Sequence, residues 1–333
     1  MAADEGQVFN YCKLAQAAYA AYDDHNGTCR YSLADMLPAV GLGGSGYVAT
    51  SFIYATVNIL AGDGVNEGND DDGCQHEQHW IGYVALATDA ERDRVGYRDI
   101  AVVWRGTSAL DELLKDLQAV LVPIHGEQQA GTVRVERGFE SLYTSSCEAC
   151  AMRTSARTQV LAELTRLVTY VRSRHPGEKI RVTATGHSLG GALALLAAWD
   201  AAAPAAALGV VAAVRAVTFA APRVGNQAFC DELVAGQRHV SVQRVIVDRD
   251  VVPTLPPTFF RYADAGTNVR LLSSGGSGRF PLPFLTLLEP LRFHSIKQYL
   301  RLLDPAPAPP QARAPVPADH LVPVPEAELD NMI

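Results

Sequence analysis

Apolar residues recur along this chain with two different periods. Short runs rich in β-branched residues alternate with longer stretches in which apolar residues lie three or four positions apart. The first pattern is typical of buried strands, and the second of helices with one buried face. The runs that predict strands are residues 47–57, 80–87, 100–106, 180–186, 214–222 and 242–248. The stretches that predict helices are residues 5–24, 108–121, 155–174 and 191–203.

The order of these elements predicts the fold class. Strands and helices alternate through most of the chain, which indicates an α/β fold with a mainly parallel central sheet and helices on both faces. Residues 62–79 interrupt the pattern with Gly and acidic residues, which predicts a loop. This loop does not fit an EF-hand, because aligning Gly73 at the sixth position places Gly68 first and His79 twelfth.

The composition changes at Asp304. From there to Ile333 proline is frequent and apolar periodicity is absent, which predicts a disordered or polyproline-like tail. The predicted organisation is therefore one folded domain of residues 1–303 and a disordered Pro-rich tail of residues 304–333. A docking segment for a partner would have the same composition as this tail, and we favour the simpler linker interpretation.

Composition and charge limit the partners. The 333 residues are 48% hydrophobic and carry a formal net charge of −8. An acidic chain without a basic stripe is not expected to bind nucleic acid. Electrostatic docking on an anionic membrane is disfavoured for the same reason, which leaves burial of an apolar patch as the route to a lipid surface. The most apolar window, residues 192–214, contains Asp200 and Pro204, so no integral membrane span is predicted. The oligomeric state stays open.

The first residues and the cysteines bear on the compartment. MAADEGQVFNYC has no basic n-region and no apolar h-region, so a cytoplasmic protein is predicted, although a chain trimmed of its targeting segment would look the same. Six cysteines are too sparse to imply a disulfide framework. Cys147 and Cys150 form a C-x-x-C without further ligands at zinc spacing, which favours ordinary thiols over a redox or metal site.

Residues 186–190, GHSLG, fit the G-x-S-x-G pattern of a nucleophile elbow. Such an elbow presents a serine from a strained turn between a strand and a helix, and its neighbours must be small. Gly186 and Gly190 provide that room, and the amides at the start of the following helix favour developing negative charge. We therefore interpret Ser188 as a catalytic nucleophile.

A serine nucleophile requires a histidine base. The histidines after Ser188 are His239, His294 and His320. His320 lies in the Pro-rich tail, and His239 precedes the strand at residues 242–248, upstream of any acid at its end. His294, which opens a helix-like segment near the end of the folded region, is the predicted base.

The base requires an orienting carboxylate, and the reaction requires oxyanion donors. Asp248 and Asp250 both follow the strand at residues 242–248, and their spacing does not choose between them. The main-chain N–H of Leu189 is the first predicted oxyanion donor. The second is Thr107, which follows the strand at residues 100–106 and offers both its N–H and its hydroxyl.

Several of these segments together resemble the class 3 lipases, and within them the plant phospholipase A1 group. The resemblance extends over residues 5–303. Its motifs are GHSLGGALA (186–194), VVWRGT (102–107), FAAPRVGNQAF (219–229), DVVPTLPP (250–257), VERGFESLY (135–143), CRYSLADM (29–36), YVATSFIYAT (47–56) and WIGYVALATD (80–89). In VERGFESLY, Glu136 stands where the plant group commonly has His.

The resemblance implies an α/β-hydrolase fold and hydrolysis of acyl esters without a metal or other cofactor. It implies that the acid is Asp250, the aspartate of D-x-V-P, and it supports His294 through the pattern H-x-x-x-x-Y ending at Tyr299. It also implies a helical lid, for which residues 108–121 are the candidate, although core packing explains the same leucine stripe. The apolar run Phe280–Leu288 departs from the family pattern and is a candidate either to line an acyl groove or to cap the site.

The expected function is that of a phospholipase A1 that cleaves the sn-1 ester of a glycerolipid at a membrane or lipid-droplet surface. A galactolipase and a triacylglycerol lipase use the same triad and remain alternatives. A non-catalytic lipase-like signalling scaffold is a third alternative. It is disfavoured because every catalytic role is filled in this sequence.

Overall fold

The computed structural model describes residues 2–58, 76–107, 119–126, 132–203, 211–273 and 293–304. The helices within these residues are α1 Ala2–Ala20, α2 Met36–Ala39, α3 Asp89–Val95, α4 Arg137–Thr144, α5 Ala156–Arg174, α6 Leu189–Ala201, α7 Gln227–Val234 and α8 Ile296–Leu303. The strands are β1 Tyr22–Asp23, β2 Thr28–Cys29, β3 Tyr47–Asn58, β4 His76–Ala87, β5 Arg98–Trp104, β6 Leu121–Pro123, β7 Arg134–Glu136, β8 Ile180–His187, β9 Val211–Phe219, β10 Ser241–Val247 and β11 Thr267–Leu271. Short 3₁₀ turns occur at Ile124–Gly126, Val252–Thr254 and Thr258–Phe260.

Seven of the described strands form the central sheet, in the order β11-β10-β9-β8-β5-β4-β3. Neighbours from β11 to β5 are parallel, whereas β4 is antiparallel to both β5 and β3. The predicted α/β class and mainly parallel sheet are therefore confirmed. Two small antiparallel pairs, β1-β2 and β6-β7, lie outside this sheet.

Helices cover both faces of the sheet. Helices α4, α5 and α6 pack into one core cluster, and α1 and α8 pack into another on the opposite face. Strand β5 is buried along its whole length, and β8 nearly so, because each is covered from both sides. The carboxyl ends of the parallel strands meet at one edge of the sheet, where loops hold the candidate site.

The structure differs from the predicted elements in several places. Residues 76–79, predicted as loop, belong to β4, which pairs with β3 along its length. Leu121, predicted as the end of a helix, starts β6 and pairs with Glu136. Strand β11 was not predicted, because an edge strand that is half exposed lacks a continuous apolar run.

Some predictions fall outside the described residues. These are the candidate lid over residues 108–118, the loop over 62–75, the run Phe280–Leu288, His320 and the tail from residue 305 onward. The division into a folded domain of residues 1–303 and a disordered tail therefore stays a prediction. Among the helices that the structure describes, each is too short or too polar to span a bilayer.

Candidate active site

Ser188 lies at the sharp turn between β8 and α6. Its backbone has φ 58° and ψ −127°, a conformation that side-chain-bearing residues rarely adopt. The Ser188 N–H donates to the carbonyl oxygen of Phe219 on β9, at 2.9 Å, which anchors the turn to the neighbouring strand. The serine side chain is therefore presented at the carboxyl edge of the sheet, as the elbow motif predicts.

The elbow glycines permit close contacts between main chains. A Cβ at Gly186 would overlap the carbonyl oxygen of Gly190, and a Cβ at Gly190 would lie 2.5 Å from the carbonyl oxygen of Trp104. Both clashes are with backbone, which cannot turn aside as a flexible side chain can. The two glycines are therefore required by the packing of β8, α6 and β5, and this packing fixes the position of Ser188.

The structure brings the predicted base and acid together with Ser188. His294 Nε2 lies 2.8 Å from Ser188 Oγ. On the other side of the ring, His294 Nδ1 lies 2.9 Å from Asp250 Oδ2 and 3.0 Å from Oδ1. All three residues are buried, with exposed fractions of 5% or less.

The chemistry of the three side chains sets the direction of these hydrogen bonds. A carboxylate accepts and does not donate, so the proton of the neutral imidazole lies on Nδ1 and points to Asp250. Nε2 is then free to accept from the Ser188 hydroxyl. This arrangement is the one in which a histidine can remove a proton from serine.

Two further groups hold the Asp250 carboxylate. The Tyr299 hydroxyl donates to Oδ2 at 2.7 Å, and the Val252 N–H donates to Oδ1 at 3.0 Å. The Val247 N–H at the end of β10 donates to the Tyr299 hydroxyl oxygen at 3.1 Å. Burial and the nearby Asp250 carboxylate raise the pKa of Tyr299 well above its ordinary value, so it stays a donor. The sequence motif ended at Tyr299, but sequence reasoning gave this residue no role.

The rejected candidates lie elsewhere. Asp248 is exposed, and its carboxylate accepts from the N–H and the hydroxyl of Ser273 at 3.1 and 2.8 Å. It therefore stabilises a turn beside β11, whereas Asp250 faces the imidazole. His239 is exposed in the connection before β10.

The predicted oxyanion donors flank the elbow. Leu189 is the first residue of α6, directly after Ser188. Thr107 follows the turn at Gly106, where a Cβ would lie 2.6 Å from the carbonyl oxygen of His187. The turn that leads to Thr107 therefore packs against the elbow. The role of Thr107 and Leu189 as donors stays a prediction.

Glu136 is the N-cap residue of α4. It is buried, and its Oε2 accepts from the Phe139 N–H at 2.9 Å, which satisfies one of the first amides of α4. In the part of the chain that the structure describes, no cluster of three or more His, Cys, Asp or Glu side chains is arranged to hold a metal ion.

A serine at a strand-to-helix elbow, an acid after β10 and a histidine before the last described helix define an α/β-hydrolase. The sequence model of the class 3 lipases matches residues 101–260. Phospholipase A1 EG1, chloroplastic/mitochondrial, of Oryza sativa subsp. indica is 34% identical over 322 residues, which cover 90% of this chain and 68% of that protein. This chain therefore belongs to the class 3 lipase family.

Other similar proteins extend the comparison. Phospholipase A1-Igamma1, chloroplastic, of Arabidopsis thaliana is 37% identical over 76% of this chain and 51% of that protein. The triacylglyceride lipase of Rhizomucor miehei superposes with a TM-score of 0.52 at 22% identity, covering 81% of each chain, which supports the fold. This chain spans about half the length of the first of the curated relatives that it matches.

The predicted cytoplasmic location is wrong. Relatives from Arabidopsis thaliana and rice are named chloroplastic or chloroplastic/mitochondrial. The prediction used only the first residues of the chain, but a targeting signal is a separate segment that is removed from the mature protein. Since these relatives extend well beyond the matched region, the start of this sequence carries no information on the compartment.

Proposed function

We propose that this protein is a serine hydrolase that cleaves acyl esters of glycerolipids, acting as a phospholipase A1 at a membrane or lipid-droplet surface. The observation that carries the proposal is the continuous hydrogen-bonded series from Ser188 through His294 to Asp250, with distances of 2.8 and 2.9 Å. Relatives named phospholipase A1 support the choice of substrate.

In the proposed reaction, Ser188 Oγ attacks the carbonyl carbon of the sn-1 ester while its proton passes to His294 Nε2. Asp250 stabilises the imidazolium that forms. The carbonyl oxygen becomes an oxyanion, which the N–H of Leu189 and the donors of Thr107 stabilise. The intermediate collapses when the ester C–O bond breaks, and His294 returns the proton to the leaving alcohol, which departs as a lysolipid. Water then attacks the acyl-enzyme by the same steps and releases the fatty acid.

The test is hydrolysis of a defined panel of phospholipid, galactolipid and triacylglycerol, with the position of the released acyl chain identified. We expect the highest turnover on phospholipid, with a 2-acyl lysolipid as product. A galactolipid or triacylglycerol preference would replace the phospholipase A1 assignment and leave the triad in place. Cleavage at sn-2 would contradict the phospholipase A1 assignment.

The role of Ser188 is tested separately. Ser188→Ala should reduce turnover by at least about 10³, whereas Ser173→Ala, on the exposed side of α5, should match the parent protein. A fluorophosphonate probe should label the parent protein and not Ser188→Ala. A folded parent protein that resists labelling would favour the non-catalytic scaffold.

A further inference from the structure

Two adjacent aromatic side chains protrude from the structure. Phe259 is 77% exposed and Phe260 48% exposed, and their ring centroids are 4.4 Å apart. They lie on the 3₁₀ turn Thr258–Phe260, which follows the loop that carries Asp250. Exposed Leu or Val side chains are common one at a time, but a contiguous aromatic pair is a candidate contact surface. We call Phe259 and Phe260 the aromatic pair.

The aromatic pair lies at the same edge of the sheet as Ser188. On one side of the pair, the carbonyl oxygen of Leu255 accepts from the Arg223 N–H at 2.7 Å. On the other side, Tyr262 forms an antiparallel bridge with Asn226. Residues 223–226 follow the carboxyl end of β9, next to β8, which ends at the elbow. Both ends of the turn are therefore fastened to the active-site edge.

Two arginines fix the conformation of the segment that carries this turn. Arg244 is buried and donates to the carbonyl oxygen of Pro253 at 3.0 Å. Arg223 donates to the carbonyl oxygen of Pro256 at 3.0 Å. Asp264 joins the two arginines, at 2.8 Å from Arg223 Nε and 2.7 Å from Arg244 Nη1. The arginines therefore bind the main chain before the aromatic pair and the Asp264 side chain after it, which holds the pair outward.

We propose that the aromatic pair inserts into the surface of a phospholipid bilayer and holds the active-site edge of the sheet against it. This inference rests on the proposed function, because it places the ester of a bilayer lipid beside Ser188. A net charge of −8 gives no general attraction to an anionic surface, so contact depends on apolar insertion, for which aromatic side chains at the interface are well suited.

The neighbouring side chains fit a lipid surface. Arg261 follows the pair and is exposed, which places a cation where it can meet a lipid phosphate. Leu272, 78% exposed, directly follows the carboxyl end of β11 and so lies at the same edge of the sheet. By contrast, Val48 is 54% exposed near the start of β3, at the opposite edge, because β3 runs in the same direction as β5. Val48 is therefore a matched control.

The first experiment measures partition onto large unilamellar phosphatidylcholine vesicles by co-sedimentation. All proteins carry Ser188→Ala, so that hydrolysis does not change the vesicles. Adding Phe259→Ser with Phe260→Ser should weaken partition by at least about tenfold, since two aromatic side chains lose their transfer into the interface. Adding Val48→Ser should change it by less than about twofold. The partition of the Ser188→Ala protein should change little between low and high salt.

The second experiment uses the active protein. The double Phe variant should lose at least about tenfold more activity on vesicles than on a dissolved short-chain ester, and its unfolding midpoint should match the parent protein. Equal losses on both substrates, or unchanged partition onto vesicles, would overturn the proposal. Failure of the parent protein to cleave any ester would reject the proposed function instead, because vesicle partition is measured without hydrolysis.

Discussion

His187 binds the main chain of His294: its Nε2 lies 2.6 Å from the carbonyl oxygen of the predicted base. Since a carbonyl only accepts, Nε2 carries the proton, and Nδ1 accepts from the Tyr19 hydroxyl at 2.9 Å. Burial, together with nearby His294, lowers the pKa of His187 well below its ordinary value, so the ring stays neutral. His187, which lies between Gly186 and Ser188 in the elbow motif, thus links α1 to the segment that carries His294.

His187→Phe should therefore reduce turnover by about tenfold and leave KM for a dissolved ester within about twofold. The variant keeps the ring volume but leaves the His294 carbonyl without its donor, so the imidazole is less well positioned for Ser188. Steady-state kinetics on a dissolved ester measure this split. Tyr19→Phe retains the bond from Nε2 and should have a smaller effect. Parent-like turnover in His187→Phe would exclude a positioning role.

The two aspartates after β10 should differ sharply on substitution. Asp250→Asn should reduce turnover by about 10³–10⁴, because an amide that donates to Nδ1 favours the wrong tautomer of His294. Asp248→Asn removes a charge from an exposed turn and should stay within about threefold of the parent protein. Turnover of both variants on one ester decides the matter, and an inactive Asp248→Asn that is still folded would reverse the assignment.

Tyr299→Phe should affect both stability and catalysis. The substitution removes the donor to Asp250 Oδ2 and leaves the buried N–H of Val247 without an acceptor. We expect the free energy of unfolding to fall by about 1–3 kcal/mol, the cost of an unsatisfied buried polar group, and turnover to fall with it. Denaturant unfolding and steady-state kinetics measure the two effects. Tyr170→Phe, at an exposed position on α5, should change neither.

Local patterns predicted the central part of the fold and the elbow. Buried parallel strands such as β5 and β8 are continuous apolar runs, and a strained serine requires glycines at fixed offsets, so both leave a signal within a few residues. The choice between Asp248 and Asp250 required the family resemblance, because both follow the same strand. In the structure they differ in burial, which local spacing does not determine.

The remaining site residues are contributed by distant segments. Tyr19 and His187 meet although 168 positions separate them, and Tyr299 and Asp250 meet across 49. The periodicity of apolar residues within a segment gives no signal for contacts between such distant positions. The aromatic pair was equally hidden, because two phenylalanines after a proline-rich loop would suit a core as well as a surface. The structure exposes them because Leu255 before the pair and Tyr262 after it both bind the segment that follows β9.

A buried cluster of charged side chains at the end of α6 predicts that stability depends on pH. His125 Nε2 lies 3.0 Å from Asp200 Oδ1 at the end of α6, and Nδ1 lies 3.1 Å from Glu140 Oε1 on α4. Arg157 and Tyr143 also donate to Asp200. Burial lowers the pKa of His125, but its hydrogen bonds with Asp200 and Glu140 outweigh this and raise the pKa from 6.5 to about 9.

The raised pKa means that protonated His125 stabilises the folded state. This contribution is complete below pH 6.5, the pKa of an unfolded histidine, and is lost as the pH rises through about 9. It corresponds to about 3 kcal/mol. The free energy of unfolding of the parent protein should therefore fall more steeply between pH 6.5 and pH 10 than that of His125→Gln, by about this amount.

Denaturant unfolding at several pH values gives the free energy of unfolding of the parent protein and of His125→Gln as a function of pH. In the difference between the two curves, the contributions of groups that titrate in both proteins cancel. His25→Gln, at an exposed position near β1, should follow the parent curve. Parallel curves for the parent protein and His125→Gln would show that folding does not raise the pKa of His125.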